Sequence, residues 1–385
     1  MASVRLGIIG LGNMGVGHAE NILKGKISRC ELVAVCDHNV SRLSRFANVK
    51  GFARAEDVIR SKLVDAVLIA TPHFSHTPIG VEALRQGLHV LVEKPISAHK
   101  ADCERLLAVH TNPRQVFAVM FQQRTDPYYQ KVHELVRGGE LGELRRINWI
   151  ITNWFRTQAY YASSDWRATW AGEGGGVLLN QCPHNLDLFQ WIFGRPAKVS
   201  GFCQVGRYHD IEVEDDVTAY FEFPDGTTAV FVTSTGEAPG TNRLEIAAER
   251  GRVVYEDDTL TFTRNEVPMT EFSRTSDKHF ATPPTIDQKF TFPNHGGQHV
   301  EMLQNFIDAI LDDKPLIAPA REGIHSVELA NAILFSSALN ATVTLPLDAT
   351  AYERYLKQNI ANSRYKKQVM TGTTSTSDFA RSFKT

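Results

Sequence analysis

One stretch near the start of the chain, "VRLGIIGLGNMGVGHAENIL", constrains the fold more than any other. An apolar run of strand character reaches Gly10, and Gly12 and Gly15 complete a G-x-G-x-x-G spacing just as a helical pattern begins. Gly10 permits a tight turn, Gly12 lets a pyrophosphate approach the backbone, Gly15 lets helix and strand pack closely, and the helix N-terminus attracts phosphate charge. The spacing alone is a weak signal. Here it has its strand, its helix and a distal acid: Asp37 ends the next apolar run about 22 residues after Gly15, where a ribose-binding carboxylate is expected. Asn13 and Met14 in the turn, and His38 beside the acid, are expected against the same dinucleotide.

Asp37 also bears on which dinucleotide. A carboxylate there accepts from both ribose hydroxyls and repels a 2′-phosphate, which favours NAD over NADP. Arg42 and Arg45 follow closely and read as solvated helix residues rather than phosphate ligands.

Up to about residue 122, the runs "VRLGIIG", "ELVAVCD", "AVLIAT", "LHVLVEKP" and "VFAVM" alternate with amphipathic helical patterns. Short apolar strands separated by helices indicate a parallel sheet buried on both faces, so residues 1–123 form a doubly wound α/β domain of Rossmann type. From "DPYYQKVHELVRGGELGELRRINWIITNWF" onward the pattern changes to strands with short spacing, alternation and turn residues such as Pro224-Asp225-Gly226. These mark antiparallel pairing, and residues 124–348 read as an α+β domain built round an open sheet. Residues 264–296, with four prolines and few apolar pairs, read as a long loop or lid, and two helical patterns follow. Residues 349–385, ending in a Ser- and Thr-rich stretch, form an extension expected to be flexible or partner-contacting.

At 385 residues the chain is long for one domain, and 43% hydrophobic with 22% charged residues describes ample core. A net charge of -2 gives no reason to expect nucleic acid or an anionic membrane as partner, which leaves small molecules as the default ligand. The five cysteines show no C-x-x-C pair and no metal-finger spacing, and no His, Cys or carboxylate cluster has metal-ligand spacing. Reduced thiols, no secretory leader and no membrane-spanning run point to a cytoplasmic protein.

The loop "ATPHFSHTP" follows a strand at the carboxyl edge of the sheet, where Thr71 and Pro72 are expected to touch the cofactor through their backbone; His73 and His76 stand beside them, and capping explains His76 as well as ligand contact does. In "LHVLVEKPISA", Glu93 and Lys94 finish a buried strand that Pro95 stops. A lysine there points into the crevice, where desolvation lowers its pKa toward the range of proton transfer. Adjacent strand residues face opposite sides, which counts against a Glu93–Lys94 ion pair. Glu93, Lys94 and Gln122, just past the last strand, are placed at the cofactor.

With these motifs in order, the sequence resembles the Gfo/Idh/MocA oxidoreductases. The resemblance runs from Val4 to about Leu347 through "GLGNMG" with His18, "VCD", "ATP", "EKP", "GELGELRRI", "GGG" followed by Asn180 and "HNLDLFQWIFG", "VEDD" at Val213–Asp216, and "VTLP". It implies a Rossmann domain followed by a domain with a large, mostly antiparallel sheet that often mediates dimers or tetramers. It implies a nicotinamide cofactor and hydride transfer at a secondary carbinol of a sugar, cyclitol or glycoside. The family's lysine and D-x-x-x-H pair map onto Lys94, Asn180 and His184. Asn180 stands where many members have Asp.

An i, i+4 pair at a helix start places Asn180 and His184 on one face. An Asn hydrogen-bonds a substrate hydroxyl but does not stabilise an imidazolium by charge. His184 is assigned as general base, Lys94 as its electrostatic partner on the same hydroxyl and Asn180 as a positioning residue; spacing equally permits Lys94 and His184 to exchange roles. Asp187 braces the helix or contacts His184, and Gly174–Gly176 are expected to let the chain pass close to cofactor or substrate. The segment "NWFRTQAYYASSDWRATW" combines flat aromatic faces with planar hydrogen-bonding groups, so Trp154, Arg156, Tyr160, Tyr161, Asp165, Trp166 and Arg167, with Arg124 upstream, are candidates for sugar binding or for an oligomer interface. His209, His295 and His299 are further candidates. Two other functions compete: a glycoside hydrolase that oxidises and eliminates with tightly held NAD, its second base drawn from Tyr160, Tyr161 or His209, and a non-catalytic nucleotide sensor on the same fold.

Overall fold

The structure is a computed structural model and describes residues 2–369. Among the described residues, β1 (Val4–Ile9), β2 (Cys30–Cys36), β3 (Lys50–Phe52), β4 (Ala66–Ile69), β5 (His89–Val92) and β6 (Phe117–Val119) form a parallel sheet in the order β3-β2-β1-β4-β5-β6. The helices α1 (Asn13–Leu23), α2 (Ala55–Arg60), α3 (His73–Arg85) and α4 (Lys100–Ala108) connect these strands. All four residues of β4 are buried, as a strand covered on both faces requires. Strand order reverses between β1 and β4, and a ligand crevice opens outside the carboxyl ends of strands at such a switch. The loops after β1, β4 and β5 carry Gly10–Gly12, Thr71–Pro72 and Glu93–Pro95 to that place.

Helix α5 (Pro127–Arg137) leads into β7 (Leu144–Ile151), and three helices follow: α6 (Gln158–Ala162), α7 (Val177–Asn180) and α8 (Pro183–Phe193). Then come β8 (Lys198–Val205), β9 (Glu214–Glu222), β10 (Thr228–Ser234), β11 (Asn242–Ala248), β12 (Gly251–Glu256), β13 (Thr259–Asn265), α9 (Met269–Thr275) and β14 (Thr285–Phe290). The chain continues with α10 (Gln298–Asp312), α11 (Ala320–Leu339), β15 (Val343–Thr344) and α12 (Ala349–Asn362). The second sheet runs β14-β13-β12-β11-β7-β10-β9-β8-β15, antiparallel except for the β7–β10 pair. Ile147, Trp149, Phe221 and Phe231 face inward and share one core with Leu186 and Phe189 of α8 and Ile333 of α11. On the other face Ile150, Phe202 and Tyr220 stay exposed.

Three features depart from the sequence expectation. Residues 264–296 are not a structureless lid: they hold α9, begun by Pro268, and β14, which pairs with β13 alone. An edge strand exposed along nearly its whole length has no apolar alternation to betray it. Second, Met302, Leu303, Phe306 and Ile307 of α10 join the core of the first sheet, so a cut after residue 123 divides the sequence but not the two cores. Third, the extension beyond residue 348 begins as an ordered helix. Asp348 caps α12 by accepting from the Thr350 and Ala351 backbone N–H groups, and Tyr352 and Leu356 are buried in the core of the second sheet. The Ser- and Thr-rich end lies outside the described residues. Among the described residues no helix is long and apolar enough to cross a membrane.

Candidate active site

The glycine turn after β1 divides its labour. A Cβ on Gly10, whose φ is +99°, would lie 2.4 Å from the Ala70 carbonyl oxygen, and one on Gly15 would lie 1.8 Å from the Gly10 oxygen. Both glycines serve the chain's own packing. At Gly12, the N-cap of α1, a Cβ would meet nothing within 4 Å, so space is open where the helix N-terminus points. Asn13 is exposed and Met14 half-buried at that opening. Asp37 is buried, its Oδ2 accepting from the Leu11 N–H at 2.8 Å and its Oδ1 from the Asn39 N–H at 2.9 Å, which ties the ribose-binding position to the turn. Arg42 is exposed, as expected, and also donates to Asp37 Oδ2 at 3.2 Å, while Arg45 pairs with Glu20. His38 is exposed beside them. Open space over a helix N-terminus beside a fixed carboxylate fits a dinucleotide, with Gly12, Asn13, Asp37, Thr71 and Pro72 as the residues that would hold it.

Two expected cofactor ligands brace the crevice. The His76 ring is fully buried, with Nδ1 2.9 Å from the Pro95 oxygen and Nε2 2.8 Å from the Thr71 oxygen, so it ties the loop after β4 to the loop after β5. Burial lowers its pKa. Glu93 pairs with His18 Nε2 at 2.7 Å; burial opposes its charge, yet the His18 bond holds the carboxyl below its usual range. His299 packs edge-on against His18, its pKa pushed down to about 4 by burial.

Lys94 leaves the strand in another direction, as strand alternation requires, and its Nζ donates to the Asn180 carbonyl at 2.8 Å. Burial lowers the Lys94 pKa, partly offset by Glu93 and Glu173. His184 is buried, with Nε2 3.1 Å from Gln122 Nε2. Burial, reinforced by the Lys94 charge, holds its pKa well below the ordinary value, so the ring is neutral. His184 Nδ1 and Gln122 Oε1 are buried without hydrogen-bond partners. Turning the Gln122 amide lets its oxygen accept from Nε2–H and leaves Nδ1 as the proton acceptor. Gln122 thus bears directly on His184.

The expected single helix face does not exist. Asn180 ends α7 and His184 begins α8, with Gln181 and Cys182 between them and Pro183 opening the second helix. Asn180 is also less free than expected: its Nδ2 donates to Glu173 Oε1, and its Oδ1 accepts from the Tyr160 hydroxyl and from Gln181 Nε2, each at 3.1 Å. The triple glycine lets the chain approach protein rather than ligand, since a Cβ on Gly176 would lie 1.9 Å from the Glu214 oxygen. The Glu214 carboxylate accepts from the Gly176 and Leu178 N–H groups at 2.8 and 3.0 Å, anchoring α7.

Glu173 is the residue the sequence did not announce. It is 1% exposed, bonds Asn180, and accepts from the Ala168 N–H at 2.5 Å, while its backbone oxygen lies 3.1 Å from His73 Nδ1. A lone charge before three glycines was the available signal.

The aromatic segment forms one wall. The guanidinium groups of Arg156 and Arg167 lie 5.2 and 4.4 Å from the Tyr160 ring centroid, and Arg167 Nη1 donates to its hydroxyl at 2.6 Å. Trp166 lies under Arg167 and edge-on to His73. Arg156 Nε, Arg167 Nε, Ser164 Oγ and Gln181 Oε1 are buried without partners, a concentration that suits a polar ligand. Asp165 is exposed at the edge of this wall.

Other candidates are scaffold. Arg124 is locked against Asp187 at 2.6 Å and Glu322 at 2.5 Å, with both Arg124 and Asp187 side chains 1% exposed, so Asp187 braces and Arg124 binds no sugar. Trp154 is core and donates to Asn185. Tyr161 donates to Thr235, and His209 has both ring nitrogens engaged, by Asp215 and by the Arg156 oxygen, which leaves neither as the second base of a glycoside hydrolase. His295 pairs with Asp126 at the start of α5. Among the described residues no three His, Cys, Asp or Glu side chains group to hold a metal ion.

The profile of the family described as "Oxidoreductase family, NAD-binding Rossmann fold" matches residues 4–121, and that of the "GFO/IDH/MocA C-terminal domain" matches residues 129–254. An inositol 2-dehydrogenase of Rubrobacter xylanophilus is 32% identical over 348 residues, covering 86% of this chain and 90% of that protein. The chain belongs to the Gfo/Idh/MocA oxidoreductase family. Another member, an inositol 2-dehydrogenase of Corynebacterium glutamicum, is 28% identical over 60% of this chain and 72% of that one. The solved WlbA dehydrogenase of Bordetella pertussis, in complex with NADH and UDP-GlcNAcA, superposes with a TM-score of 0.75 at 25% identity over 90% of this chain and all of that one. As a Gfo/Idh/MocA member the protein is an oxidoreductase with an NAD-binding Rossmann domain, and neither the hydrolase nor the sensor reading gains support.

Proposed function

We propose that the protein interconverts a secondary hydroxyl and a ketone on a sugar, inositol or glycoside, with NAD rather than NADP as its hydride partner. The observation that carries this is the placing of half-buried Lys94, just past β5, and buried His184, at the start of α8, beside a wall of arginine, tyrosine and tryptophan in which Arg156 Nε, Arg167 Nε and Gln181 Oε1 are buried without partners. Relatives named for inositol, and one solved with a sugar nucleotide, support the substrate class. Asp37 supports NAD. Five free cysteines support a cytoplasmic setting, and the exposed apolar outer face of the second sheet supports a homo-oligomer.

Held by Gly12, Asn13 and Asp37, NAD would supply the acceptor for the hydride of the carbinol carbon. The protein's own part is proton handling. Neutral His184 takes the hydroxyl proton, and the Lys94 ammonium stabilises the oxygen as negative charge develops on it. The Tyr160, Trp166 and Arg167 wall orients the ring, and Asn180 holds Tyr160 in place. Lys94→Ala and His184→Ala are each expected to lower kcat by about 10²- to 10⁴-fold while the affinity for NADH, followed by its fluorescence, stays within about threefold. Assayed against inositols, monosaccharides and glycosides for NADH formation, turnover that survives both replacements sinks the mechanism; free sugar without NADH favours the hydrolase.

A further inference from the structure

Asn180 raises a question of charge: a site in which proton transfer passes through Lys94 and His184 has lost the carboxylate of the family's pattern at position 180. We propose that Glu173 supplies it, as a positioning residue whose carboxylate acts through the Asn180 side chain and across space on Lys94. This rests on the reading of Lys94 and His184 as the catalytic pair.

The geometry is a closed circuit. Glu173 Oε1 accepts from Asn180 Nδ2; Asn180 Oδ1 accepts from the Tyr160 hydroxyl; Tyr160 accepts from Arg167 Nη1; and that same Nη1 lies 3.7 Å from Glu173 Oε1. Carboxylate, amide, phenol and guanidinium therefore fix one another, and the Asn180 amide has one orientation that serves both neighbours. The Asn180 backbone oxygen meanwhile receives Lys94 Nζ, so the residue that Glu173 holds is the one on which the ammonium rests.

A purely local role explains less. Glu173 Oε2 does cap the Ala168 N–H, at a residue with φ of +53°, but a neutral amide oxygen would do that as well and avoid burying a charge. A carboxylate is favoured where a second buried ion needs a counter-charge, and the other carboxylate that acts on Lys94, Glu93, is shared with His18. Arg156 and Arg167 approach from the wall, while His184 from α8, His73 from α3 and His299 from α10 add no negative charge. Glu93, on the same strand end, is turned to His18. Of the two carboxylates acting on Lys94, Glu93 is the stronger and Glu173 the second.

The test moves the charge and needs no substrate for its first reading. The rate at which acetic anhydride modifies Lys94, followed by peptide mass spectrometry across pH, gives the midpoint at which the amine loses its proton. Glu173→Gln is expected to move that midpoint down by about one pH unit, because removing a nearby negative charge destabilises the ammonium. In steady state the same variant is expected to lose about tenfold in kcat with KM for NAD unchanged, and its alkaline limb is expected to move down with the Lys94 midpoint. Returning the carboxylate one link along, in E173Q/N180D, restores the midpoint and regains most of the lost kcat. A midpoint that does not move in E173Q, or a double variant no better than E173Q, overturns the proposal. Should E173Q not fold, E173Q/N180D carries the test alone: a midpoint at the wild-type pH supports the proposal and one shifted down overturns it. If no polyol is oxidised at all, the catalytic reading fails, while the Lys94 titration still decides whether Glu173 acts on it.

Discussion

Asp37 and Arg42 show how one contact bears on cofactor choice. Arg42 lies on the carboxylate at 3.2 Å, close to where the adenosine ribose is expected, and Asp37 neutralises it there. Replacing Asp37 by Ser removes the acceptor for the ribose hydroxyls and frees the guanidinium for a 2′-phosphate, which it binds in a bidentate fork. The ratio of kcat/KM for NAD over NADP is expected to fall about a hundredfold in Asp37→Ser, roughly 2.7 kcal/mol, and an unchanged ratio counts against NAD preference resting on Asp37. The role of Asp37 was legible because spacing after a glycine turn is a local property of one βα unit. The contact with Arg42 was not, since it depends on how the turn of 3-10 helix at Val40–Phe46 sends its side chains back. Glu173 was hidden for a related reason: its partners lie 5 residues before it and 7 after, and no helical or strand period links them.

At the scale of elements, α7 is only four residues long, and it carries Asn180 because Glu214 of β9 caps its start. Burial pushes the Glu214 carboxyl up to about 7 from 4.5. A carboxyl with a raised folded pKa holds its proton more tightly in the native state, so its contribution to stability is complete below the unfolded pKa and is lost as pH rises toward 7. Glu214→Gln, which cannot ionise, is therefore expected to flatten the decline in stability between about pH 4.5 and pH 7, a difference of at most about 3 kcal/mol by urea titration. Identical slopes for the two proteins would contradict the assignment. The helix break that makes α7 necessary stands in the sequence as Cys182-Pro183, yet the apolar period across "VLLNQCPHNLDLF" bridges it, which is why one helix was expected where two exist.

For the whole molecule, the two sheets were readable from period and spacing, but the return of α10 to the first core and the docking of α12 depend on contacts between distant parts of the chain. The outer face of the second sheet is the large surface these helices leave uncovered. Register aligns Phe202, Thr218, Val232 and Ile150 in one row across β8, β9, β10 and β7, with Ser200, Tyr220, Val230 and Asn148 in the next. Beyond β7 the row turns to charge: Arg243 stands opposite Ile150 and bonds Glu245 and Glu256. An apolar half rimmed by ion pairs is the pattern of a face that closes on a copy of itself, because a two-fold axis then sets apolar rows against one another while the charged rows stay in water. The protein is expected to sediment at a multiple of the chain mass. Ile150→Glu with Phe202→Glu sets like charges across that contact and, since both side chains are exposed in the single chain, leaves the fold intact. The double variant is expected to sediment as a monomer with an unchanged circular dichroism spectrum; a wild type that is already monomeric, or a double variant that still associates, removes this face as the interface.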